Sequence, residues 1–370
     1  MLTISAQYGL VEQEDFFSKR VSSVDLSNYI LVKKGEFAYN KSYSHGYPWG
    51  AIKRLDQYAE GVLSPLYICF RLKDDGVDSD YLQQYFEGSQ WHKEISLIAM
   101  EGARNHGLLN ITIQDFFNLP LRLPSLAEQR KIAGLLSLID ERIEVQNAII
   151  KEREAQKASL LRRLFDRTLR FPEFTDKWKK VKLGEVGKMY NGLSGKKAAD
   201  FGAGYPFITY KMVFDSGVID MSKVSYVEIG PGEKQNKVRE GDIFFTTSSE
   251  TIDEVGMSSV LLRDADNLFL NSFCFGYRLN TPNLTTSQYL GYMLRGPQMR
   301  MRISSLGQGI TRFNISKEKV ADLQIAVPTL PEQRKIAALL SAIDERLDVE
   351  RAYAEQLKQQ KAYLLRQMFI

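Results

Sequence analysis

The residues of this chain that could do chemistry are polar side chains mixed with aromatic rings in two parts of the sequence. One group lies between residues 39 and 104, and the other between residues 196 and 312. The candidates are Tyr39, Asn40, Lys41, Tyr43, Lys53, Arg54, Arg104, Lys196, Lys197, Tyr210, Lys211, Thr246, Thr247, Ser248, Gln308 and Arg312. Lysine neutralises phosphates, asparagine and arginine bond to base edges, and aromatic rings stack. This mixture predicts contact with double-stranded DNA. For each residue alone a solvated loop is the alternative, but recurrence at equivalent places in two regions favours binding.

Patterns typical of catalysis are missing from the sequence. The three histidines, His45, His92 and His106, all precede residue 124, so the chain has no duplicated histidine site. The stretch from Gly192 to Lys197 lacks the glycine spacing and the Ser/Thr of a Walker A loop. Two cysteines cannot form a zinc site by themselves. We therefore expect no catalytic residues, no metal and no cofactor.

Length and charge narrow the class of protein. At 370 residues the chain is long enough for two or three domains, each with its own core. A net charge of +4 is small for a protein held on DNA by phosphate neutralisation alone. Local clusters or a partner subunit must therefore supply the positive charge. No apolar run reaches membrane-spanning length and no signal peptide is recognisable, so we expect a cytoplasmic protein without a membrane partner.

One long stretch that occurs twice organises the sequence around these residues. Residues 124–165 and 328–369 align without a gap, and about 24 of 42 positions are identical. Both copies contain Glu-Gln-Arg-Lys-Ile-Ala and, after five further residues, Ile-Asp-Glu-Arg. The repeat distance is far too long for a solenoid. It indicates a duplicated unit made of one domain and one helix.

Each copy of the repeat predicts a helix of nearly 40 residues. Apolar residues recur in steps of four and three, which is a heptad seam, but the seam becomes polar around Gln146, Arg153 and Lys157 and again around Glu350 and Lys361. Such a helix is unstable alone and needs a partner along its seam. The other copy is the nearest partner. An antiparallel pairing would give the chain a pseudo-two-fold axis.

The segments outside the two helices predict a pair of related domains that mix helices and strands. In the first, we expect strands on either side of Lys34-Gly35, a buried strand in 61–72, a helix in 80–100 and a strand within 111–123. The predicted boundaries are 1–124 and 170–327 for the domains, and 125–169 and 328–370 for the helices. The fold class is α+β. The first domain is expected to be short at its N-terminus, because nothing in it corresponds to residues 178–195.

This duplicated arrangement resembles the specificity subunit of type I restriction–modification systems. The features that carry the resemblance are the opening Pro-x-Leu-x-Glu-Gln-Arg-Lys-Ile-Ala of both helices and the segment from Arg170 to Gly184 that begins Arg-Phe-Pro-Glu-Phe. The resemblance extends over nearly the whole chain. It implies two target recognition domains that each read half of a split DNA sequence. It also implies an antiparallel pair of spacer helices and no catalysis by the chain itself.

The resemblance further implies partner subunits. Methyltransferase subunits, two of them, would dock on the helices, and restriction subunits would join through the complex. The residues predicted to bind these partners are polar members of the shared motifs: Gln129, Arg130, Arg142, Gln333, Arg334 and Arg346.

Two other classes of function are consistent with parts of the sequence. The long helices would suit a coiled-coil adaptor that has no DNA sequence preference. A self-sufficient enzyme would need a cofactor or metal motif that the sequence lacks. The target DNA sequence cannot be read from the chain, because base contacts depend on loop geometry.

Overall fold

The structure is a computed structural model that describes residues 1–14, 27–44, 46–73, 75–101, 107–263 and 265–369. The chain divides into two compact units. Unit 1 comprises Met1–Ile149 and Glu350–Ile370, and unit 2 comprises Ile150–Val349. Each long helix therefore contributes one part of its length to each unit.

Unit 1 contains short strands paired in small antiparallel sheets. Strand β4 is central, with β5 on one side and β7 on the other, while β1 pairs with β2, β3 with β6, and β8 with β9. The strands are β1 (Leu2–Ser5), β2 (Gly9–Glu12), β3 (Ile30–Lys33), β4 (Phe37–Asn40), β5 (Ala51–Arg54), β6 (Glu60–Leu63), β7 (Ile68–Phe70), β8 (Met100–Glu101) and β9 (Leu109–Asn110).

The helices of unit 1 pack on this central sheet. They are α1 (Ser79–Glu87), α2 (Gln90–Ile98), α3 (Ile113–Phe117) and the beginning of α4 (Leu126–Phe165). Aromatic rings of β4 and α2 build the core, where the ring of Tyr39 lies edge-on to Trp91 at 5.9 Å and stacked on Phe116 at 5.2 Å. The alternation of buried rings along β4 explains why this strand occupies the middle of the sheet.

Unit 2 has a larger central sheet, with strand order β11-β18-β14-β16. Around it, β10 pairs with β20, β12 pairs with β13 and β17, and β15 pairs with β19. The strands are β10 (Lys179–Lys182), β11 (Gly187–Asn191), β12 (Phe201–Ile208), β13 (Ser225–Val227), β14 (Ile243–Thr246), β15 (Ser248–Ser249), β16 (Ser258–Val260), β17 (Phe269–Leu270), β18 (Cys274–Leu279), β19 (Phe313–Asn314) and β20 (Gln324–Val327).

The helices of unit 2 cover the sheet and close its core. Besides the end of α4, they are α5 (Leu183–Val186), α6 (Tyr210–Asp215), α7 (Ser287–Arg295), α8 (Pro297–Ser304), α9 (Lys317–Ala321) and the beginning of α10 (Leu330–Met368). Leu161 and Leu164 of α4 and Ile336 and Leu340 of α10 belong to the same core as the sheet. The helices are thus integrated into the domain by burial of apolar side chains.

Strands β4 and β5 of unit 1 correspond to β14 and β16 of unit 2 with a constant offset of 206 residues. Phe37 lies opposite Arg54 in unit 1, and Ile243 lies opposite Val260 in unit 2. Before each central strand stands a glycine in the left-handed region, Gly35 with φ of 88° and Gly241 with φ of 82°. A residue with a side chain is strained in that region, so the same turn chemistry begins both strands. The predicted equivalence of the two segments agrees with this register.

The units differ beside these central strands. In unit 2, β18 pairs with β11 on its second edge, whereas among the described residues of unit 1 no strand pairs with the second edge of β7. Similarly, β20 pairs with β10, but residues 118–125 form no strand. The prediction of a strand within 111–123 is therefore wrong. Helix α3 occupies the beginning of this segment, and among the described residues no strand lies opposite its end to form hydrogen bonds with it.

Two further predictions in unit 1 need correction in detail. The buried strand predicted for 61–72 is two strands, β6 and β7, because the turn at residues 64–67 separates them. The helix predicted for 80–100 is interrupted at Gly88-Ser89, which gives α1 and α2. The turn at Lys34-Gly35 is present, but β3 and β4 pair with other strands and not with each other.

The two long helices form as the heptad pattern predicts. Helix α4 has 40 residues and α10 has 39. In unit 1 the beginning of α4 packs on the end of α10, where Leu136 shares a core with Leu365 and Phe369. Within the described residues no helix is long and apolar enough to cross a membrane.

Polar pairs determine how the helices align within each unit. In unit 1, Nε2 of Gln146 donates to the carbonyl oxygen of Glu350 at 3.1 Å and to its Oε2 at 2.7 Å, while Lys361 lies 2.6 Å from Asp140. Ascending numbers on α4 thus meet descending numbers on α10, so the pairing is antiparallel. In unit 2 the repeat-equivalent pair, Lys157 and Asp344, also forms a salt bridge. A buried polar pair that fits only one alignment favours one register over others.

Candidate nucleic-acid interface

Several loops of unit 2 meet at one end of its central sheet. The register places the last residue of β11, Asn191, and the last residue of β14, Thr246, beside the beginning of β18. The beginning of β16 pairs with the end of β14 at the same end. The loops that leave or enter here span residues 192–197, 247–257 and 271–273. With the loop 307–312 before β19, they are called the loop cluster below.

Backbone hydrogen bonds join these loops to one another. Both N and Oγ1 of Thr247 donate to the carbonyl oxygen of Phe273, at 2.9 and 2.8 Å. The amide of Ile315 donates to the carbonyl oxygen of Thr247 at 2.9 Å, and the amide of Leu193 donates to that of Leu270 at 2.7 Å. Because each loop is bonded to the next, the cluster presents its exposed side chains from a defined framework.

Two partly buried arginines bond to backbone carbonyl oxygens, Arg300 within the loop 247–257 and Arg295 at the start of β16 and the end of α6. Nε of Arg295 donates to the carbonyl oxygen of Ser258 at 2.5 Å, and its Nη2 donates to three carbonyl oxygens at residues 213, 214 and 216. Arg300 donates to three carbonyl oxygens at residues 253, 255 and 256. Burial lowers the pKa of Arg295 to about 10, so it is still charged at neutral pH. The arginines thus position the backbone and are not available to a ligand. The sequence analysis did not identify them.

Four of the predicted DNA-binding residues are exposed in unit 2. They are Lys197, Lys211, Gln308 and Arg312. Tyr210 lies behind them: its hydroxyl donates to the carbonyl oxygen of Ser248 at 2.7 Å, and its pKa, raised mainly by burial, is partly lowered by the charge of Arg312. The loop cluster therefore combines one amine, one amide and one guanidinium, and Lys211 on α6 is a second exposed amine; such groups bind phosphates and base edges.

Three other predicted residues of unit 2 serve the structure. Thr246 is buried, and its Oγ1 accepts a hydrogen bond from the amide of Met257 at 3.0 Å. Ser248 is buried in β15 opposite Asn314, and Thr247 is bonded to Phe273 as described above. Thr246 and Ser248 are therefore corrected: their positions leave no surface for a DNA contact, and they shape the loop instead.

Lys196 is also corrected, because an internal carboxylate neutralises it. Its Nζ lies 2.6 Å from Oε2 of Glu233, and only 8% of its side chain is exposed. The hydrogen bond from Lys196 is the main cause that lowers the pKa of Glu233 to about 2. Ser194 and Gln235 are bonded reciprocally beside this pair. Lys196 thus fastens its loop to residues 233–235, and the neighbouring Lys197 is the exposed lysine.

The sequence analysis missed an exposed apolar residue in the loop cluster. Ile310 is 93% exposed at the tip of the loop 307–312. The loop is closed at its neck, where Gln308 and Asn314 exchange two backbone hydrogen bonds of 2.9 and 2.8 Å, and Gly309 adopts a φ of 135° that favours glycine. Phe273 is also more than half exposed. The available signal in the sequence was an isoleucine within a short loop that also contains two glycines and an arginine.

In unit 1 the equivalent end of the central sheet contains only part of the predicted set. Tyr39 is buried, and its hydroxyl donates to the carbonyl oxygen of Trp49 at 2.7 Å, so its assignment to DNA is corrected. Asn40 accepts a hydrogen bond from the amide of Ser42 at 3.0 Å, and Nζ of Lys41 donates to the carbonyl oxygen of Ile111 at 3.1 Å. Tyr43 is 60% exposed. It is the predicted residue of this group with most surface available.

Two basic residues of unit 1 lie elsewhere. On β5, Lys53 lies 2.5 Å from Glu87, and Arg54 bonds to Asp56 and Asp80 at 2.7 Å each. These ion pairs connect β5 to α1, so both residues are corrected to structural roles. Arg104 lies outside the described residues.

The glutamines of the repeated motif are buried joints between helix and domain. Oε1 of Gln129 accepts from the amide of Asp78 at 2.8 Å, and its Nε2 donates to the carbonyl oxygen of Pro124 at 3.0 Å. Gln333 does the same in unit 2: Oε1 accepts from Thr286 and Nε2 donates to Pro328. Both side chains are fully occupied inside the chain, so their assignment as partner-binding residues is corrected.

The arginines predicted to bind partners are exposed. They are Arg130 and Arg142 on α4 and Arg334 and Arg346 on α10. Arg130 lies 3.8 Å from Asp78, which is a long contact at an exposed site and contributes little to stability. These four side chains lie on the surface of their own units. Among the described residues there is no group of three or more His, Cys, Asp or Glu side chains arranged to hold a metal ion.

Comparison with known families and proteins gives consistent matches. A model of the type I restriction modification DNA specificity domain matches residues 175–359. The MjaVIII type I restriction enzyme specificity subunit of Methanocaldococcus jannaschii is 24% identical over 324 residues, which cover 83% of this chain and 73% of that protein. The EcoKI specificity subunit of Escherichia coli is 23% identical over 317 residues, which cover 81% of this chain and 62% of that protein.

Solved structures show the same fold. A chain from a type I restriction–modification system, solved to explain its complex assembly and conformational transition, matches 93% of this chain and 84% of its own length, with a TM-score of 0.60 and 19% identity. The S subunit of the type I system of M. genitalium matches 92% of this chain and 84% of its own, with a TM-score of 0.53 and 16% identity.

Proposed function

Because this chain belongs to the type I restriction–modification DNA specificity family, we propose that it is the sequence-specific DNA-binding subunit of a type I complex. It recognises a bipartite duplex target and positions methyltransferase and restriction subunits on it. The observation that carries the proposal is the loop cluster of unit 2, which presents exposed Lys197, Gln308, Ile310 and Arg312 at one end of a sheet.

The chemistry of the loop cluster suits duplex DNA. Lysines neutralise phosphates and set the position of the protein, whereas Gln308 and Arg312 can bond to base edges in the major groove. A good bidentate pair of this kind discriminates between bases by about 1–3 kcal/mol. Ile310 adds an apolar surface that suits a thymine methyl group. Positioning and discrimination are thus divided among different side chains of one framework.

Unit 1 is proposed to read the other half of the target. Its central strands share the register of unit 2, and Tyr43 occupies the loop that corresponds to the segment after β14. Its basic residues Lys53 and Arg54 are paired internally, so we expect it to depend more on stacking and less on charge. Phosphate contacts by partner subunits would supply the remaining positive charge.

The long helices are proposed to dock two methyltransferase subunits, with restriction subunits joining through the complex. The pseudo-repeat offers each methyltransferase subunit an equivalent set of exposed arginines, Arg130 and Arg142 on α4 and Arg334 and Arg346 on α10. Methylation and cleavage would belong to those subunits, so the chain itself is proposed to be non-catalytic and cytoplasmic. A coiled-coil adaptor without DNA preference is not favoured, since the family match is to a DNA specificity domain.

The proposal is tested by selecting duplexes from a random pool with the chain assembled on its methyltransferase subunits. We expect a two-part motif to be enriched. Arg312→Ala and Ile310→Ser should each weaken the preference in one half of the motif and leave the other half unchanged. Lys180→Ala is the matched control, because Lys180 is an exposed basic residue on β10, outside the loop cluster.

Two results would count against this assignment. If the assembled wild type enriches no motif, the chain is not a specificity subunit. If Lys180→Ala changes the motif as much as Arg312→Ala does, general charge and not the loop cluster explains the binding.

A further inference from the structure

A short segment of unit 2 covers the start of α10. Nε and Nη2 of Arg170 donate to the two carboxylate oxygens of Glu332, at 2.7 and 2.8 Å, which is a bidentate pair. Nε1 of Trp178 donates to the same carboxylate at 3.3 Å. As a result Glu332, in the first turn of a helix, has no exposed surface. Residues 170–178 are called the covering segment below.

The covering segment has a second contact one turn further along the helix. Lys335 forms a salt bridge with Glu173 and lies 4.6 Å from the ring centroid of Phe171. The lysine therefore has both an opposite charge and an aromatic face, and cation–π contacts of this kind add to the attraction. Along α10 the acidic Glu332 precedes the basic Lys335, whereas along the covering segment the basic Arg170 precedes the acidic Glu173. The two elements are complementary in charge.

The start of α4 in unit 1 has the same helix residues without such a cover. Glu128 and Lys131 are the repeat equivalents of Glu332 and Lys335, and both are exposed. Leu135, one turn further along, is 43% exposed, whereas its equivalent Leu339 is half-buried and packs against the core of unit 2. No described residue of unit 1 is paired with Glu128 as Arg170 is with Glu332.

A packed tyrosine–phenylalanine pair lies near the start of the long helix in both units. Tyr289 packs against Phe165 with ring centroids 5.5 Å apart, and Tyr81 packs against Phe369 at 5.0 Å. Burial and then the charge of the nearby glutamate raise the pKa of each tyrosine, Glu332 acting on Tyr289 and Glu128 on Tyr81. The first-turn glutamate thus has the same electrostatic effect on the tyrosine in both units.

We propose that the start of α4 is a docking site for a segment of another polypeptide with the chemistry of the covering segment. The occupant has an arginine for Glu128, an adjacent aromatic ring for Lys131 and an acidic residue three positions after the arginine. Charge complementarity and the covered equivalent in unit 2 identify this occupant. The site is separate from the loop cluster, and the inference does not depend on DNA reading.

The test uses the full chain and a labelled synthetic peptide of residues 168–180, which contains the whole covering segment. We expect saturable binding, measured by fluorescence anisotropy. Glu128→Lys should weaken it at least tenfold, because the arginine then meets a like charge. Glu141→Lys is the matched control, since it makes the same charge change at another exposed position of α4 and should leave peptide affinity unchanged.

A charge swap separates this site from the one already covered. The peptide carrying Arg170→Glu should bind the Glu128→Lys chain better than the wild-type chain. Displacement of the chain's own covering segment from Glu332 would not respond to Glu128, and a tethered segment outcompetes a dissolved one because of its high effective concentration. Absence of saturable binding, or an equal loss with Glu141→Lys, would overturn the proposal. Duplex selection on the same variants is expected to be unchanged.

Discussion

The two long helices share the four residues Glu-Gln-Arg-Lys near their starts, but the glutamate is exposed on α4 and completely buried on α10. The glutamines that follow, Gln129 and Gln333, are buried in both copies and make equivalent bonds. The difference shows that one part of the motif joins each helix to its own domain. The other part acquires its role only where a covering segment is present.

A second difference concerns the sheets. The strand pair β4–β5 keeps the register of β14–β16, but β18 has a partner on each edge and β7 has a described partner on one. The loop cluster of unit 2 is built on the wider sheet, where β11 contributes its own loop. Duplication has therefore preserved the core strands and left the surroundings of each reading surface different.

The largest expected effect tests the glutamate comparison directly. Glu332→Ala should lower the free energy of unfolding by about 3 kcal/mol, since it removes the buried partner of Arg170 and Trp178. Glu128→Ala should change it by less than about 0.5 kcal/mol, as is usual for exposed residues. Urea unfolding followed by circular dichroism measures both. Equal effects of the two substitutions would remove the distinction between the helix starts.

The glutamines should behave alike. Gln333→Ala and Gln129→Ala should each cost about 2 kcal/mol, because buried donors and acceptors lose their partners. The same unfolding measurement applies, with Gln359→Ala, an exposed glutamine of α10, as the control. A neutral Gln129→Ala would show that the joint in unit 1 is weaker than its geometry indicates.

The reading surfaces should differ in DNA affinity. Arg312→Ala should weaken binding of the assembled complex to its selected duplex by about tenfold, the lower end of what a bidentate base contact contributes. Tyr43→Ala should weaken it less, because one exposed ring replaces a charged group. Titrations at one fixed salt concentration decide the order, since salt alone shifts such affinities. A larger loss for Tyr43→Ala would reverse the ranking of the two surfaces.

The smallest effect concerns the helix seam. Lys157→Met and Lys361→Met keep most of the side-chain stem and remove one repeat-equivalent ion pair each. Because both pairs are partly exposed, each substitution should cost less than about 1 kcal/mol, and the two costs should be similar. Thermal melting of the two variants tests this equality. A markedly larger cost for one would show that the polar seam is not equivalent in the two units.

Much of the framework could be predicted because its signals are long and periodic. A heptad pattern sustained over about 40 residues predicts a helix reliably, and the helices α4 and α10 agree with it to within a few residues at each end. Short strands were harder. The segment 61–72 is mostly apolar, and its division into β6 and β7 falls at Ser64-Pro65, a turn signal that the prediction of a single strand overlooked.

The candidate site was predicted less well, and the reason is chemical. A threonine, lysine or tyrosine looks the same in sequence whether its partner is a base, a carboxylate or a backbone carbonyl. Thr246, Lys196 and Tyr39 have internal partners, whereas Arg312 and Lys197 are exposed. Ile310 was missed because apolar residues are usually expected in cores.

The sequence by itself determined the duplication, the two helices and the polar middle of their heptad seam, since these follow from identity between copies and from helical periodicity. Only the tertiary structure decided which identical residues are buried. Glu128 and Glu332 are followed by the same five residues along the chain, and their burial differs because Arg170, 162 positions away from Glu332, lies against one of them. Burial depends on such distant contacts, and so does the division of the candidate residues between structure and DNA.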